Sequence, residues 1–135
     1  MYSDNPFFES IDHWVIVWIG DLKLEELEDY LDEPGNAADN EPISDFSRDL
    51  GRWYDHDFIW AEGSDEQVSL RKLCELNGVE PSEFVDEIEQ RGGDVKARSL
   101  LVLWNAKAID ESPRPFAEGQ LKCIGCWQQE SPLTD

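Results

Sequence analysis

Residues 13–19 read HWVIVWI and stop at Gly20-Asp21. A β-branched and aromatic run ended by a turn pair predicts a strand. Side chains alternate along a strand, so Val15, Val17 and Ile19 share one face and Trp14, Ile16 and Trp18 the other. Both faces are apolar. Such a strand is central in its sheet, or one of its faces is covered by a partner. Residues 99–104 (SLLVLW) repeat the two-sided pattern.

The rest of the chain offers cover for these strands. Leu24, Leu27, Tyr30 and Leu31 recur at helical spacing, with Glu25, Glu26, Glu28 and Asp29 outside them. Asp21 is available as a cap and Pro34-Gly35 as a stop. Residues 35–42 read as a loop. Ser44 caps a short helix that turns Ile43, Phe46 and Leu50 inward and ends at Gly51. A turn around Tyr54-Asp55 leads to a second strand at 58–61. After a break at Gly63-Ser64-Asp65, the residues Val68, Leu70, Leu73, Cys74 and Leu76 trace a helical face ending at Asn77-Gly78. Pro81 opens a further helix with Phe84, Val85 and Ile88 inward and Gly92-Gly93 at its end. Residues 110–118 form a proline-containing loop, and 120–127 (QLKCIGCW) a fourth strand. The order β-α-α-β-α-α-β-β describes an α/β or α+β fold, with a sheet of about four strands and helices packed against it. Residues 1–12 are expected to be an irregular lead-in, 13–128 the single domain and 129–135 a polar tail.

At 135 residues the chain can bury roughly two thirds of its unfolded surface as one domain. Its 11 Lys+Arg face 31 Asp+Glu, a formal charge of −20. Direct binding to nucleic acid needs a basic patch, which this composition does not supply. Anionic membrane surfaces are disfavoured for the same reason. No apolar run approaches the ~20 residues of a membrane span. The first residues lack the basic and apolar regions of a signal peptide, and three cysteines make an odd number for a disulfide framework. These features point to a reducing cytoplasm and to a basic partner.

Cys123-Ile124-Gly125-Cys126 matches C-x-x-C but falls inside the fourth strand, where residues three apart point to opposite faces. The pair therefore reads as structural. Zinc would want four ligands, and no second pair has metal spacing, so no metal and no cofactor is expected. Asp55-His56-Asp57 reads as a turn or ion pair with Arg48 or Arg52, as a partner contact, or as two same-side carboxylates forming a minimal site for a hard cation. There is no glycine-rich phosphate loop, no G-x-S-x-G and no H-E-x-x-H. Nothing in the sequence marks an enzyme.

The acids are concentrated. Residues 21–66 hold 16 Asp+Glu against Lys23, Arg48 and Arg52, a balance of −13. Within that span, residues 44–62 (SDFSRDLGRWYDHDFIWAE) interleave Trp53, Tyr54 and Trp60 with carboxylates. A solvated acidic face is the usual origin of such a run. Aromatics set among the charges favour a protein interface instead, with the charges steering a basic partner. Phe46, Leu50, Tyr54 and Phe58 are expected on the packed side, and Asp55, Asp57, Trp60 and Glu62 on the outward one.

Several segments succeed one another in a familiar order. They are Trp18-Ile19-Gly20 closing the first strand, the acidic helix LEELEDYL at 24–31, Ser44-x-Phe46-x-x-Asp49-x-Gly51, and Tyr54-Asp55-His56-Asp57-Phe58-Ile59. In these the chain resembles the immunity protein 22 family, which accompanies bacterial polymorphic toxins and protects the producing cell. The resemblance covers residues 14–62, with 100–104 compatible. It departs at His56 and Trp60, where the family tends to carry acids. It implies a non-enzymatic inhibitor that binds one cognate toxin, often a nuclease, by stoichiometric contact. The expected contact residues are Asp55, Asp57, Glu62, Trp53 and Trp60, with Glu25, Glu28 and Asp29 steering. The alternative is an acidic adaptor or nucleic-acid mimic that binds a basic nucleic-acid-binding protein.

Overall fold

The structure is a computed structural model. It describes residues 7–32, 44–51, 54, 58–76, 83–93, 95–109 and 115–129. The elements are β1 (Phe8–Gly20), α1 (Leu24–Leu31), α2 (Asp45–Leu50), β2 (Ile59–Ser69), α3 (Leu70–Leu76), α4 (Glu83–Gly92), β3 (Lys96–Ala108) and β4 (Leu121–Gln128), and a 3-10 turn lies at Ala117–Gly119. The order β-α-α-β-α-α-β-β is the one the sequence predicts, and the domain is α+β.

The sheet runs β2-β3-β1-β4, every neighbouring pair antiparallel. The two strands that are apolar on both faces, β1 and β3, occupy the middle. Their register sets Ile16 opposite Leu103 and Trp18 opposite Leu101 on one face, and Val15 opposite Trp104 and Val17 opposite Val102 on the other. Helices cover both faces. On the first, Leu27 and Tyr30 of α1 and Phe46 and Leu50 of α2 close over Trp18, together with Phe7 and Phe116. The Trp18 ring meets Phe46 edge-on at 5.1 Å and Phe116 at 5.4 Å. On the second face, Leu70, Leu73 and Cys74 of α3 and Phe84, Val85 and Ile88 of α4 pack on Val17, Leu100, Val102 and Trp104. Among the described residues, no helix is long and apolar enough to cross a membrane.

Three boundaries differ from the sequence reading, each for a backbone reason. β1 begins at Phe8, inside the stretch expected to be an irregular lead-in, because Phe8, Glu9 and Ser10 pair with Ala108, Lys107 and Ala106. The ladder then breaks. Residues 11–14 stand against Asn105 alone, His13 takes a φ of 68°, and its N–H donates to Asn105 Oδ1 at 3.3 Å. The break resets the alternation, so the first half of the strand does not read as one. β2 likewise continues through the break at Gly63-Ser64-Asp65, which is a bulge: Gly63 pairs with Ser99, and pairing resumes at Val68 with Ala97. Val68 therefore belongs to the strand. Helix α3 starts at Leu70, where the Ser69 hydroxyl accepts from the Lys72 N–H (3.1 Å) as an N-cap. Finally, Asp21 does not cap α1. It pairs with Arg98 (2.9 Å) and accepts from Gln67 (3.1 Å), and the Glu26 carboxylate serves the helix start by accepting from the Lys23 N–H (3.0 Å). The expected stops at Pro34-Gly35 and Asn77-Gly78, the loop 35–42, Ile43 and the helix start at Pro81 lie outside the described residues.

Helix α1 crosses β2 at its first turn. The Leu24 side chain, expected inward, is 40% exposed, because the helix makes contact there through its backbone. A Cβ built on Gly63 would lie 2.6 Å from Leu24 Cα and 2.7 Å from its N. Only glycine lets the helix sit this close. Gly63→Ala is expected to lift the start of α1 and destabilise the fold by about 1–3 kcal/mol, measured as a lowered urea midpoint. An unchanged midpoint would show that α1 does not rest on β2.

Candidate functional site

The first helical layer leaves a cleft of about 600 Å³ between α1, α2 and residues 115–120. Leu22, Tyr30, Pro115 and Ala117 contribute to its walls, and Glu26, Asp29, Asp45, Asp49 and Glu118 place carboxylates around it. Among the described residues, Arg48 is the one basic side chain lining it, and its guanidinium lies 3.3 Å from Asp45. The local sequence accounts for the arrangement. The apolar stripe of α1 buries Leu27 and Tyr30, leaving Glu26 and Asp29 on the flank toward α2. Ser44 caps α2 by accepting from the Ser47 N–H (3.0 Å), and this turns Phe46 and Leu50 into the core and Asp45 and Asp49 to the rim.

One hydrogen-bonded cluster ties the three walls together. The Tyr30 hydroxyl donates to Asp49 Oδ2 at 2.6 Å, and the Ala117 N–H donates to the same oxygen at 2.9 Å. The Tyr30 oxygen also accepts from the Ala117 N–H at 3.2 Å. Ala117 and Glu118 both have left-handed backbones, with φ of 49° and 57°, a conformation that costs a non-glycine residue free energy. The turn is held on one side by Phe116, which is buried in the Trp18 cluster, and on the other by Asp49. Burial, followed by the hydrogen bond to Asp49 and the charge of that carboxylate, pushes the Tyr30 hydroxyl well above its ordinary range. It stays a protonated donor.

The predicted site residues that are described do not form one surface. Glu25, Glu28 and Asp29 are exposed on α1, and Asp29 lines the cleft. Trp60 and Glu62 lie across the sheet from them. Trp60 stands opposite Val102, half-buried, its ring edge-on to Trp104 at 5.2 Å. It therefore extends the second core instead of facing outward. Glu62 is opposite Leu100, and its carboxylate accepts from the Gly63 N–H at 3.1 Å. The reason is parity: residues 60 and 62 share the face of Val102 and Leu100, which α3 and α4 cover. Trp53, Asp55 and Asp57, with Arg52 and His56, lie outside the described residues. Tyr54 and Phe46 pack as expected, ring centroids 5.3 Å apart, and Tyr54 shares a hydrogen bond with Ser44 Oγ (2.9 Å).

Sequence reasoning missed Tyr30, Asp49 and the 115–120 wall as one unit. Tyr30 reads only as a core position, and nothing local pairs it with a residue 87 positions on. The two left-handed residues sit inside a stretch that reads as loop. Among the described residues, no group of three or more His, Cys, Asp or Glu could hold a metal ion. Comparison of the chain with family models, with curated proteins and with solved structures finds no match.

Two outcomes test this cluster. Asp49→Ala removes the acceptor shared by a buried hydroxyl and a backbone N–H, and should cost about 1–3 kcal/mol. Glu28→Ala, on the exposed side of α1, should stay within about 0.5 kcal/mol. Thermal melts of the two variants check the contrast. The second outcome is alkaline. The folded chain holds the Tyr30 proton, whereas an unfolded tyrosine releases it near pH ~10. The contribution is complete below that pH and is lost as pH rises, because the unfolded state then binds fewer protons. Tyr30→Phe should therefore lose less stability than the parent between roughly pH 9.5 and 11.5, followed by urea denaturation. Parallel curves would remove Tyr30 as a source of the loss.

Proposed function

We propose that this chain is an immunity protein of a bacterial polymorphic toxin system, acting in the cytoplasm without catalysis by stoichiometric binding of a basic toxin domain. The observation that carries the reading is the one-sided charge around the cleft. Among the described residues, five carboxylates line it, and the one arginine is engaged by Asp45. The opposite helical layer is different: Arg71 pairs with Asp86 (2.9 Å) and Glu89, Lys72 with Glu75 (4.0 Å), and Arg91 with Glu87 (3.2 Å). Among the described residues, the larger excess of carboxylates over basic side chains therefore lies on the α1/α2 side. A nuclease or similar effector presents a basic groove to its substrate, and an acidic surface with a concave centre can occupy that groove and exclude phosphate. The resemblance of residues 14–62 to immunity proteins points the same way. The contact surface we propose centres on Asp29 and Glu118, with Glu25 and Glu28 beside it.

Co-expression with the effector encoded next to this chain tests the reading. The chain should abolish that effector's toxicity and co-purify with it. If it does neither, the reading is wrong. Within the complex, the double variant Asp29→Lys/Glu118→Lys should slow association about tenfold or more at low salt and hold or raise the melting temperature of the free chain, since both side chains are exposed and the exchange relieves like charge around the cleft. Association at the parent rate would move the contact away from the cleft. An acidic adaptor would instead bind several basic nucleic-acid-binding proteins, each weakened steeply by salt.

A further inference from the structure

In a regular strand Cys123 and Cys126 would point to opposite faces. The register of β4 shows that they do not. Trp18 pairs with Cys123 and Val17 with Gly125, so Ile124 is an extra residue, a bulge in the ladder. Ile16 then pairs with Cys126. Trp18 and Ile16 share a face, and both cysteines pack against the cluster on that face, whereas Ile124 packs on the other. Gly125 makes the bulge possible with a φ of 146°, and a Cβ there would meet Arg91 Nη1 at 2.8 Å. The bulge thus places two thiols side by side.

Their separation lies at the upper end of what a disulfide spans, so closure must draw the two residues together within the bulge. The β1 residues opposite them, Ile16 and Trp18, are two apart, which at a rise of ~3.3 Å per residue sets the two cysteines about 6.6 Å apart at Cα. Disulfides span roughly 4.4–6.8 Å between Cα atoms. The Cys123 sulfur already leans along the strand, 3.8 Å from the carbonyl oxygen of Gly125, the peptide that leads into Cys126. Both are thiols, half-buried on an edge strand that pairs only with β1 among the described strands.

We infer that Cys123 and Cys126 form a dithiol site that closes reversibly to a disulfide by exchange with low-molecular-weight disulfides such as oxidised glutathione. In the first step a protein thiolate attacks one sulfur of the reagent, forming a mixed disulfide and releasing one molecule of thiol. The second cysteine then attacks the protein sulfur and expels the other. The two protein thiols give up two electrons and two protons, which leave in the two released thiols. Burial pushes the Cys123 thiol up to about 11, which slows its part in the exchange at neutral pH. Cys74 is buried beneath α4, is likewise pushed up to about 11, and takes no part.

The full chain, equilibrated natively in mixtures of reduced and oxidised glutathione, should form a species lighter by two hydrogens, with the bond mapped to the peptide beginning at Cys123. The effective concentration of the pair should be about tenfold higher than in the same chain unfolded in urea, because the fold places both sulfurs on one face. Cys123→Ser and Cys126→Ser should stop at the mixed disulfide, and Cys74→Ser should close like the parent. A native effective concentration equal to or below the unfolded value overturns the inference, as does a native chain that accumulates stable glutathione adducts at both cysteines. The parent chain alone decides these outcomes, so loss of fold in a serine variant would not blur them. Their failure would leave the proposed toxin binding untouched.

Discussion

The pairing of β1 with β3 fixes the architecture. These two strands present apolar side chains to both faces over Val15–Ile19 and Leu100–Trp104, and water must be kept from each. A helical layer on one side alone would leave Val17, Val102 and Trp104, or Ile16, Trp18 and Leu103, exposed at about 25 cal/mol per Å². Two layers are therefore required. The helices that supply them are short, from six residues in α2 to ten in α4, well below the length at which a helix is stable alone in water. They exist because the sheet gives their apolar faces somewhere to go. This dependence explains why a backbone contact as small as Leu24 on Gly63 matters: it sets how closely α1 can approach the sheet.

The same logic explains what could be read from the chain beforehand. Two-sided apolar runs and amphipathic helices are local patterns, so the element order and the inward residues Leu27, Phe46, Leu73, Phe84 and Ile88 were legible. Register is not local. Each of the three strand pairings contains a shift, at Ser10/Val15, at Val17/Trp18 and at Gly63/Val68. At each one the period-two rule restarts with the opposite sign. That is how the start of β1 came to read as irregular, β2 as broken and the C-x-x-C pair as divided between faces. The cleft was hidden for a related reason. Its two acidic helices are visible in the sequence, but the wall that makes it concave is a turn of left-handed residues anchored by Phe116 and Asp49. Those contacts join positions far apart in the chain.

The function proposed for the α1/α2 layer and its stability pull in different directions. Helix α1 carries Asp29 near its C-terminal end, where the helix dipole disfavours an anion, and has no basic residue in its last turn. Across the cleft, Asp49 and Glu118 add like charge, Asp45 is paired with Arg48, and Asp49 also holds Tyr30 and Ala117. The α3/α4 layer has had the same opportunity to accumulate acids and has matched Asp86, Glu87 and Glu89 with arginines. Among the described residues the two layers are thus balanced unequally, which selection for stability alone gives no reason for. A cationic surface seated over α1 and α2 would relieve that repulsion. By linkage, the partner's affinity would include whatever free energy the unbound fold gives up in holding those carboxylates together.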